Sequence, residues 1–498
     1  MTYRYDCVVV GSGHAGSSAA YAAAQSGCKR VLLIDKCPPE WAGGNGYFTA
    51  GAHRAVHDGL ADILSLVSNV TRDQVSRIDL EPYAEEQFAS DIQRLSDGRS
   101  DPNLVDAVVK SSRQAIRWLK IDIGVDFTMS FDRQAYEVNG RQVFWGGMAL
   151  SVRDGGKGLI KAHTAALERI GVKRMFSTKA IDVIVEKGGV KALKVLKISD
   201  DGQDEEAVLT TPSVILAAGG FEASRELRER FLGQGWGRAR VRGTPYNTGD
   251  GFEIARRAGA KMGERERTNQ FTKSGYPLGV MVNAEGERFV DEGEDFRNYT
   301  YAKFGRAILM QPHGFAFQIW DSQVISKLRQ EEYGDGVVEK IYGDTLQELA
   351  ASLVERGLET SAQNRLVETI QSFNRAVCAY QEQNTIIRWD PTIKDGKATM
   401  GLQLPKSNWA LTIDKPPFMA VKVTCGVTFT FGGVGINPTT ANVINMKGDE
   451  IQGLFATGEM IGGLFYGNYP GGSGLTAGAV FGCKAGQSAA ARAVEYAQ

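Results

Sequence analysis

Two kinds of apolar pattern run along this chain. Short continuous runs rich in β-branched residues predict buried parallel strands. They occur at Asp6 to Val10 (DCVVV) and at Val31 to Ile34. Long stretches of small residues predict helices at Ala15 to Gln25, ended by Gly27, and at Ala477 to Ala489. Between Gln363 and Gln381, apolar residues recur at Leu366, Ile370, Phe373, Val377 and Tyr380, a helical stripe made for core packing. Val190 to Val214 predicts strands with a hairpin, interrupted by the acidic, exposed turn Asp200 to Glu206. The charged pattern from Asp73 to Arg99 predicts a solvated peripheral helical region.

The order of the first elements carries chemistry. The strand ending at Val10 passes at once into Gly11-Ser-Gly13-His14-Ala15-Gly16, which opens the first helix. The next strand stops at Asp35. Gly11 permits the tight turn, Gly13 lets a pyrophosphate approach the backbone, and Gly16 lets the helix pack on the sheet. The helix N-terminus stabilises phosphate charge, and Asp35 is placed to accept hydrogen bonds from a ribose diol. Strand, glycine turn, helix and acid together predict a dinucleotide site, where the glycines alone would be weak evidence. A second segment near the other end, Leu454-Phe-Ala-Thr-Gly458-Glu459 followed by Gly471-Gly-Ser-Gly474-Leu475 and a small-residue helix, points to FAD over NAD. Glu459 suits ribitol or ribose hydroxyls, and the helix after Gly474 suits the flavin pyrimidine.

Composition narrows the partners. With 498 residues, 43% hydrophobic and 23% charged, the chain allows two or three domains with a large core. A formal net charge of −1, without basic runs, gives no case for nucleic acid or an anionic membrane. Cys7, Cys28, Cys37, Cys378, Cys425 and Cys483 show neither metal-ligand nor haem-attachment spacing, so no metal is expected. No apolar run reaches the ~18 residues of a membrane helix, and no signal peptide precedes the first strand. The expected compartment is the cytoplasm, with the cysteines as free thiols.

These segments jointly resemble the fumarate reductase/succinate dehydrogenase flavoprotein family over most of the chain. Gly43-Gly44-Asn45 resembles its GGN segment, Ile215 to Phe221 the strand that closes the FAD site, and Thr248-Gly-Asp250-Gly251 its TGDG segment. Gly279-Val-Met-Val-Asn283 with Glu287-Arg-Phe-Val-Asp-Glu292 resembles the motif leading into the active site. Within the family, Arg288 to Arg306 and Tyr466-Gly-Asn-Tyr469-Pro-Gly-Gly resemble FAD-dependent tricarballylate dehydrogenases, which oxidise tricarballylate to cis-aconitate.

The resemblance implies an α/β fold: a Rossmann-like FAD-binding domain at residues 1–268 and 419–498, with an inserted α+β capping domain at 269–418. Pro416-Pro417 marks the return. It implies cofactor contacts from Gly11, Gly13, His14, Ala15, Gly16, Asp35, Lys36, Gly43, Gly44, Asn45, Ala218, Gly219, Gly220, Asp250, Gly458, Glu459, Gly474 and Leu475. No histidine occupies the position used for covalent attachment, so FAD is expected to be held non-covalently. The chain departs from fumarate reductases at the substrate clamp. Tyr469 stands where they carry an arginine, and Thr428-Phe-Thr-Phe-Gly-Gly433 stands where they carry histidines.

Desaturation needs a base for a proton alpha to a carbonyl or carboxylate, and donors that stabilise the developing enolate. Arg297 is the first candidate for proton transfer, one residue beyond the family's proton-carrying arginine. Because arginine acts as a base only in an unusual environment, Tyr299, Tyr301 and Tyr469 compete with it. Arg54 and Thr428 are candidate substrate contacts, and Trp145 is either a pocket wall or core. The expected substrate is a polycarboxylate. A ketosteroid 1,2-dehydrogenase-like desaturation of a ketone is the alternative, and a flavin-binding protein without turnover is a third reading. Electrons leave to an unidentified acceptor: a partner, for which the family suggests a separate membrane protein, a quinone or oxygen.

Overall fold

The computed structural model describes residues 3–199, 202–263 and 268–497, so Asp200 and Asp201 of the acidic turn lie outside the described residues. The chain divides into two compact units. One comprises residues 1–134, 138–269 and 427–498, the other residues 135–137 and 270–426.

The first unit is built on a ten-stranded sheet. Its centre is parallel, in the order Glu450–Ala456, Val214–Leu216, Cys7–Val10, Val31–Ile34, Lys173–Met175. Leu216 lies level with Val10 and Ala456, and Val10 with Ile34, so the carboxyl ends of four strands finish on one line. The strands Cys7–Val10, Val31–Ile34 and Val214–Leu216 are buried along their whole length, which is why they read as unbroken apolar runs. Thr178–Glu186, Gly189–Lys197 and Glu205–Thr210 add an antiparallel flank. Its first hairpin turns through Lys187 and Gly188, both at positive φ (50° and 74°), the geometry whose twist matches the flanking strands.

The small residues of the helices His14–Gln25 and Ser473–Ala497 let their backbones meet. A Cβ on Gly482 would lie 2.9 Å from the Ala15 carbonyl oxygen, and one on Gly486 only 2.5 Å from that of Ala19. The second helix, Ser473–Ala497, is longer at both ends than its alanine run predicts. The first, His14–Gln25, follows its pattern closely.

The second unit holds an antiparallel sheet ordered Val280–Val282, Phe315–Trp320, Phe418–Thr424, Ile341–Gly343. Alternation sorts its residues to two faces. Val280, Val282, Phe317 and Ile319 pack against Leu366, Ile370, Phe373 and Val377 of the helix Gln363–Gln383. Met281, Ala316 and Trp320 pack with Phe304 and Ile308 of the helix Arg297–Leu309. Because Phe418–Thr424 pairs with Phe315–Trp320, this unit runs beyond Phe418 to Gly426. Among the described residues no helix is long and apolar enough to cross a membrane.

Candidate functional site

The aligned strand ends of the first unit gather Gly11, Asp35, Ala217 to Gly220 and Thr457 to Glu459 along one edge, the place where open α/β sheets take their ligands. Sterics demand glycine at two points. A Cβ on Gly11 (φ 110°) would stand 2.2 Å from the Ala217 carbonyl oxygen, and one on Gly16 1.9 Å from the Gly11 carbonyl oxygen. Gly13 and Gly474, by contrast, have no protein atom within 3.5 Å of such a Cβ; the nearest are at 3.6 and 3.9 Å. Crowded glycines make the turn, and open ones leave room for a ligand against the backbone. Both stand at or beside the first turns of His14–Gln25 and Ser473–Ala497, where amide N–H groups favour an anion.

Asp35 sits at the expected strand end. Its Oδ2 accepts from the Ser12 amide and hydroxyl (both 2.7 Å), and its Oδ1 from the Cys37 amide (3.0 Å). The Ser12 hydroxyl in turn accepts from the Gly43 amide (3.1 Å). Ser12 therefore ties the first glycine turn to the Gly43-Gly44-Asn45 segment, a part the glycine spacing alone does not reveal. Lys36 and Asp250, both expected against the cofactor, meet each other. Lys36 Nζ binds Asp250 and Thr248, and Lys179 Nζ reaches Asp250 Oδ1 at 2.9 Å. Burial opposes charge on Asp250, but the two lysines win and hold its carboxyl well below the usual range.

A second set of buried groups surrounds Glu459. Its Oε1 accepts from the Thr430 amide (2.6 Å) and hydroxyl (2.9 Å), and only glycine fits at 220, since a Cβ there would lie 1.9 Å from that oxygen. Glu222, fully buried, accepts through Oε1 from Asn45 (2.5 Å) and Asn247 (2.6 Å). Burial raises both glutamates above the ordinary carboxylate range; the charge of Glu222 raises Glu459 further, whereas the hydrogen bond between them lowers Glu222. Asn45 also donates to the Thr428 carbonyl (2.5 Å) and accepts from the Thr244 amide (3.0 Å). Glu222 was not singled out from the sequence. Its only signal is an acid directly after Gly219-Gly220-Phe221.

His14 joins the two ends of the chain. Its Nε2 donates to the Leu475 carbonyl (2.9 Å), which leaves Nδ1 to accept from His163 Nε2 (2.8 Å). Burial brings the His14 pKa down to about 4, so the ring is neutral near pH 7. Arg54, expected on substrate, is fully buried and donates to the Gly471 carbonyl (2.9 Å) and Tyr83 hydroxyl (3.0 Å), with Asp91 at 3.4 Å. These contacts fix the turn before Ser473–Ala497. The Thr428 hydroxyl is buried without a hydrogen-bond partner among the described residues. Tyr469 packs among Phe429, Phe465 and Phe431, with ring centroids 5.0, 5.6 and 6.0 Å away. Trp145 is buried within the first unit.

In the second unit, Arg297 opens the helix Arg297–Leu309, and its guanidinium lies 5.4 Å from the centre of the Tyr136 ring. The Tyr276 hydroxyl donates to the Arg297 carbonyl (3.2 Å) and pairs with Thr300 Oγ1 (2.8 Å). Tyr299 is buried on the same helix, and Tyr301 packs on its core side. Arg288 and Glu292 are joined at 2.5 Å, and Glu292 also accepts from the Met281 amide (2.7 Å), so this motif is a clasp that sets the start of the segment leading to Arg297. Arg297, Tyr299 and Tyr301 thus share one element, whereas Tyr469 belongs to the first unit.

Glycine cradles at aligned strand ends, two helix starts joined through His14, and the part-buried acids Asp35 and Glu459 define an FAD-dependent oxidoreductase. The chain belongs to the FAD binding domain family, whose model matches residues 6–475, and is a flavoprotein of the fumarate reductase/succinate dehydrogenase kind. It is 27% identical over 505 residues to a probable fumarate reductase of Shewanella frigidimarina, covering 98% of this chain and 75% of that one. It is 28% identical to an NADH:fumarate oxidoreductase of Klebsiella pneumoniae, over 98% of this chain but only 48% of the relative. The chain thus spans about half the length of that second protein. Its fold matches the open conformation of a flavocytochrome c3 fumarate reductase with a TM-score of 0.71 at 25% identity, over 99% of this chain and 79% of that one. The cofactor of the first unit is FAD.

Proposed function

We propose that this protein is an FAD-dependent dehydrogenase that forms a carbon–carbon double bond beside a carboxylate, of the tricarballylate to cis-aconitate type, or runs that step in reverse. One observation carries this reading: the Arg297 guanidinium, only 7% exposed, fixed at a helix start and over the Tyr136 ring. A positive charge in low-dielectric surroundings attracts a carboxylate and stabilises the enolate that develops as the alpha proton leaves. Arg297 is the proton-transfer group of this account, with Tyr299, Tyr301 and Tyr469 as its competitors. FAD, held by the glycine turns and helix starts of the first unit, would supply the hydride acceptor for the neighbouring carbon. Relatives named fumarate reductase and NADH:fumarate oxidoreductase support an unsaturated carboxylate as reactant. All six cysteines are free thiols, which supports a reducing, cytoplasmic setting. Electrons leave to a partner protein, a quinone or oxygen.

The test is anaerobic mixing of the oxidised holoenzyme with tricarballylate and succinate, and of the reduced holoenzyme with cis-aconitate and fumarate. Loss of flavin colour in the first set, or its return in the second, is expected. Silence in both refutes the reading. A second reading has its own observation, the aromatic surroundings of Tyr469 described above, which suit a ketone on an apolar body. Bleaching by a 3-ketosteroid, with none by tricarboxylates, decides for that one.

A further inference from the structure

The second unit holds another buried guanidinium whose donors its surroundings leave partly unused. Arg329 immediately precedes the short helix Gln330–Tyr333, and its side chain is 10% exposed. Nη1 donates to Glu332 Oε1 (2.5 Å) and to Ser274 Oγ (3.2 Å). Nε and Nη2 are buried without a hydrogen-bond partner among the described residues. The nearest acid to Nε, Glu331, is 42% exposed and stops at 3.8 Å, outside hydrogen-bond range.

The chemistry of the missing partner follows from which donors are left. Nε–H and Nη2–H lie parallel on one edge of the planar guanidinium, the edge that meets both oxygens of a carboxylate at once. Glu332 does not fill that place. Its carboxylate is already taken by the Ser274 amide (2.7 Å) and hydroxyl (2.9 and 3.0 Å) as well as by Arg329 Nη1. The charge of Arg297 is felt at both Arg329 and Glu332, and Tyr136, the ring beneath Arg297, also acts on Arg329. Glu332 is thus already engaged and Glu331 reaches Nε only at ion-pair distance, which leaves a two-pronged donor edge inside the unit.

We propose that Arg329 is a substrate-binding residue that receives a carboxylate on its Nε–Nη2 edge, with Glu332 and Ser274 holding the guanidinium in place. The assignment rests on the carboxylate reading above and deepens it. A substrate with two or more carboxylates is then gripped at Arg329 through one and presented to Arg297 through another part. Glu332 keeps Arg329 from turning, and Glu331 is the acid closest to competing for Nε.

The test uses the FAD-loaded protein and two probes: malonate, an inert dicarboxylate, followed by its perturbation of the flavin spectrum, and tricarballylate, followed by turnover. Arg329→Gln is expected to keep FAD and its melting temperature. It should bind malonate roughly tenfold to hundredfold more weakly, and raise KM for tricarballylate in step while kcat stays near wild type. Arg329→Lys should recover little, because lysine lacks the planar fork. Wild-type malonate affinity in a folded Arg329→Gln protein overturns the assignment. Should that variant lose its fold, Arg329→Lys decides alone: a loss of tenfold or more supports the assignment, and wild-type binding overturns it. A wild-type protein that answers to no carboxylate at all sinks the functional reading and this assignment together. A responsive wild type whose Arg329 variants bind malonate just as tightly sinks only the Arg329 assignment.

Discussion

The Nε2 of His14 donates to the carbonyl oxygen of Leu475 at 2.9 Å, a contact between residues 461 positions apart. It locks the first turn of His14–Gln25 to the first turn of Ser473–Ala497, so two helix N-termini address the cofactor site as one rigid body. The bond needs a neutral, Nε2-protonated ring, because Nδ1 must accept from His163.

That requirement has a pH signature. Burial depresses His14 to about 4, His53 to about 3 and His57 to about 4, from 6.5 in the unfolded chain. The unfolded state takes up these protons first, so the histidine contribution is complete above pH 6.5 and is lost as pH falls toward about 4. The urea midpoint should therefore drop between pH 7 and 5. His14→Phe should flatten that slope and cost roughly 1–3 kcal/mol at pH 7 through the unpaired Leu475 carbonyl. An unchanged slope contradicts a His14 ring that burial keeps neutral in the folded protein.

Gly220→Ala isolates the Glu459 pocket. The added methyl meets Glu459 Oε1 at 1.9 Å and Thr430 Oγ1 at 2.2 Å, so the carboxylate must leave its place. The expected result is a folded protein with a sharply reduced flavin-to-protein ratio. Full flavin occupancy shows that Glu459 does not contact the cofactor.

Asp35→Ala removes the acceptor that holds Ser12 and Cys37 as well as the acid proposed for the ribose. A charged acceptor of this kind is worth roughly 1.5–3 kcal/mol, so FAD should bind roughly ten- to a hundredfold more weakly. Asp35→Asn, which keeps an acceptor oxygen, should recover part of the loss. Wild-type affinity in the alanine variant removes Asp35 from the cofactor site.

Acid precipitation checks the mode of attachment. The flavin should remain in the supernatant as FAD; yellow colour in the pellet means a covalent link.

What the sequence discloses here is what is local. Gly11 and Gly16 announce themselves because a steric demand sits within one turn, and the runs at 7–10 and 31–34 because burial on both faces leaves no polar position. Ser12, Glu222, His163 and Arg329 stay silent, since each acquires meaning only from a partner distant in sequence or from an acceptor that is missing. Lys36 and Asp250 show the converse. Both belong to motifs that suggest ligand contact, yet they are 214 residues apart and neutralise each other. The helix Ser473–Ala497 outruns its alanine stretch because packing on His14–Gln25 supports residues of ordinary propensity.

The most direct measurement of proton transfer by Arg297 is the rate of flavin reduction in a single anaerobic turnover at saturating substrate, wild type against Arg297→Ala. Because the motifs proposed to hold FAD belong to the other unit, the variant should keep its flavin and its fold. If the guanidinium moves the proton, reduction should slow by about 10²–10⁴, roughly 3–5 kcal/mol of barrier, with Arg297→Lys restoring little. A folded, FAD-loaded Arg297→Ala protein that reduces its flavin at the wild-type rate contradicts the account and shifts the proton to Tyr299, Tyr301 or Tyr469.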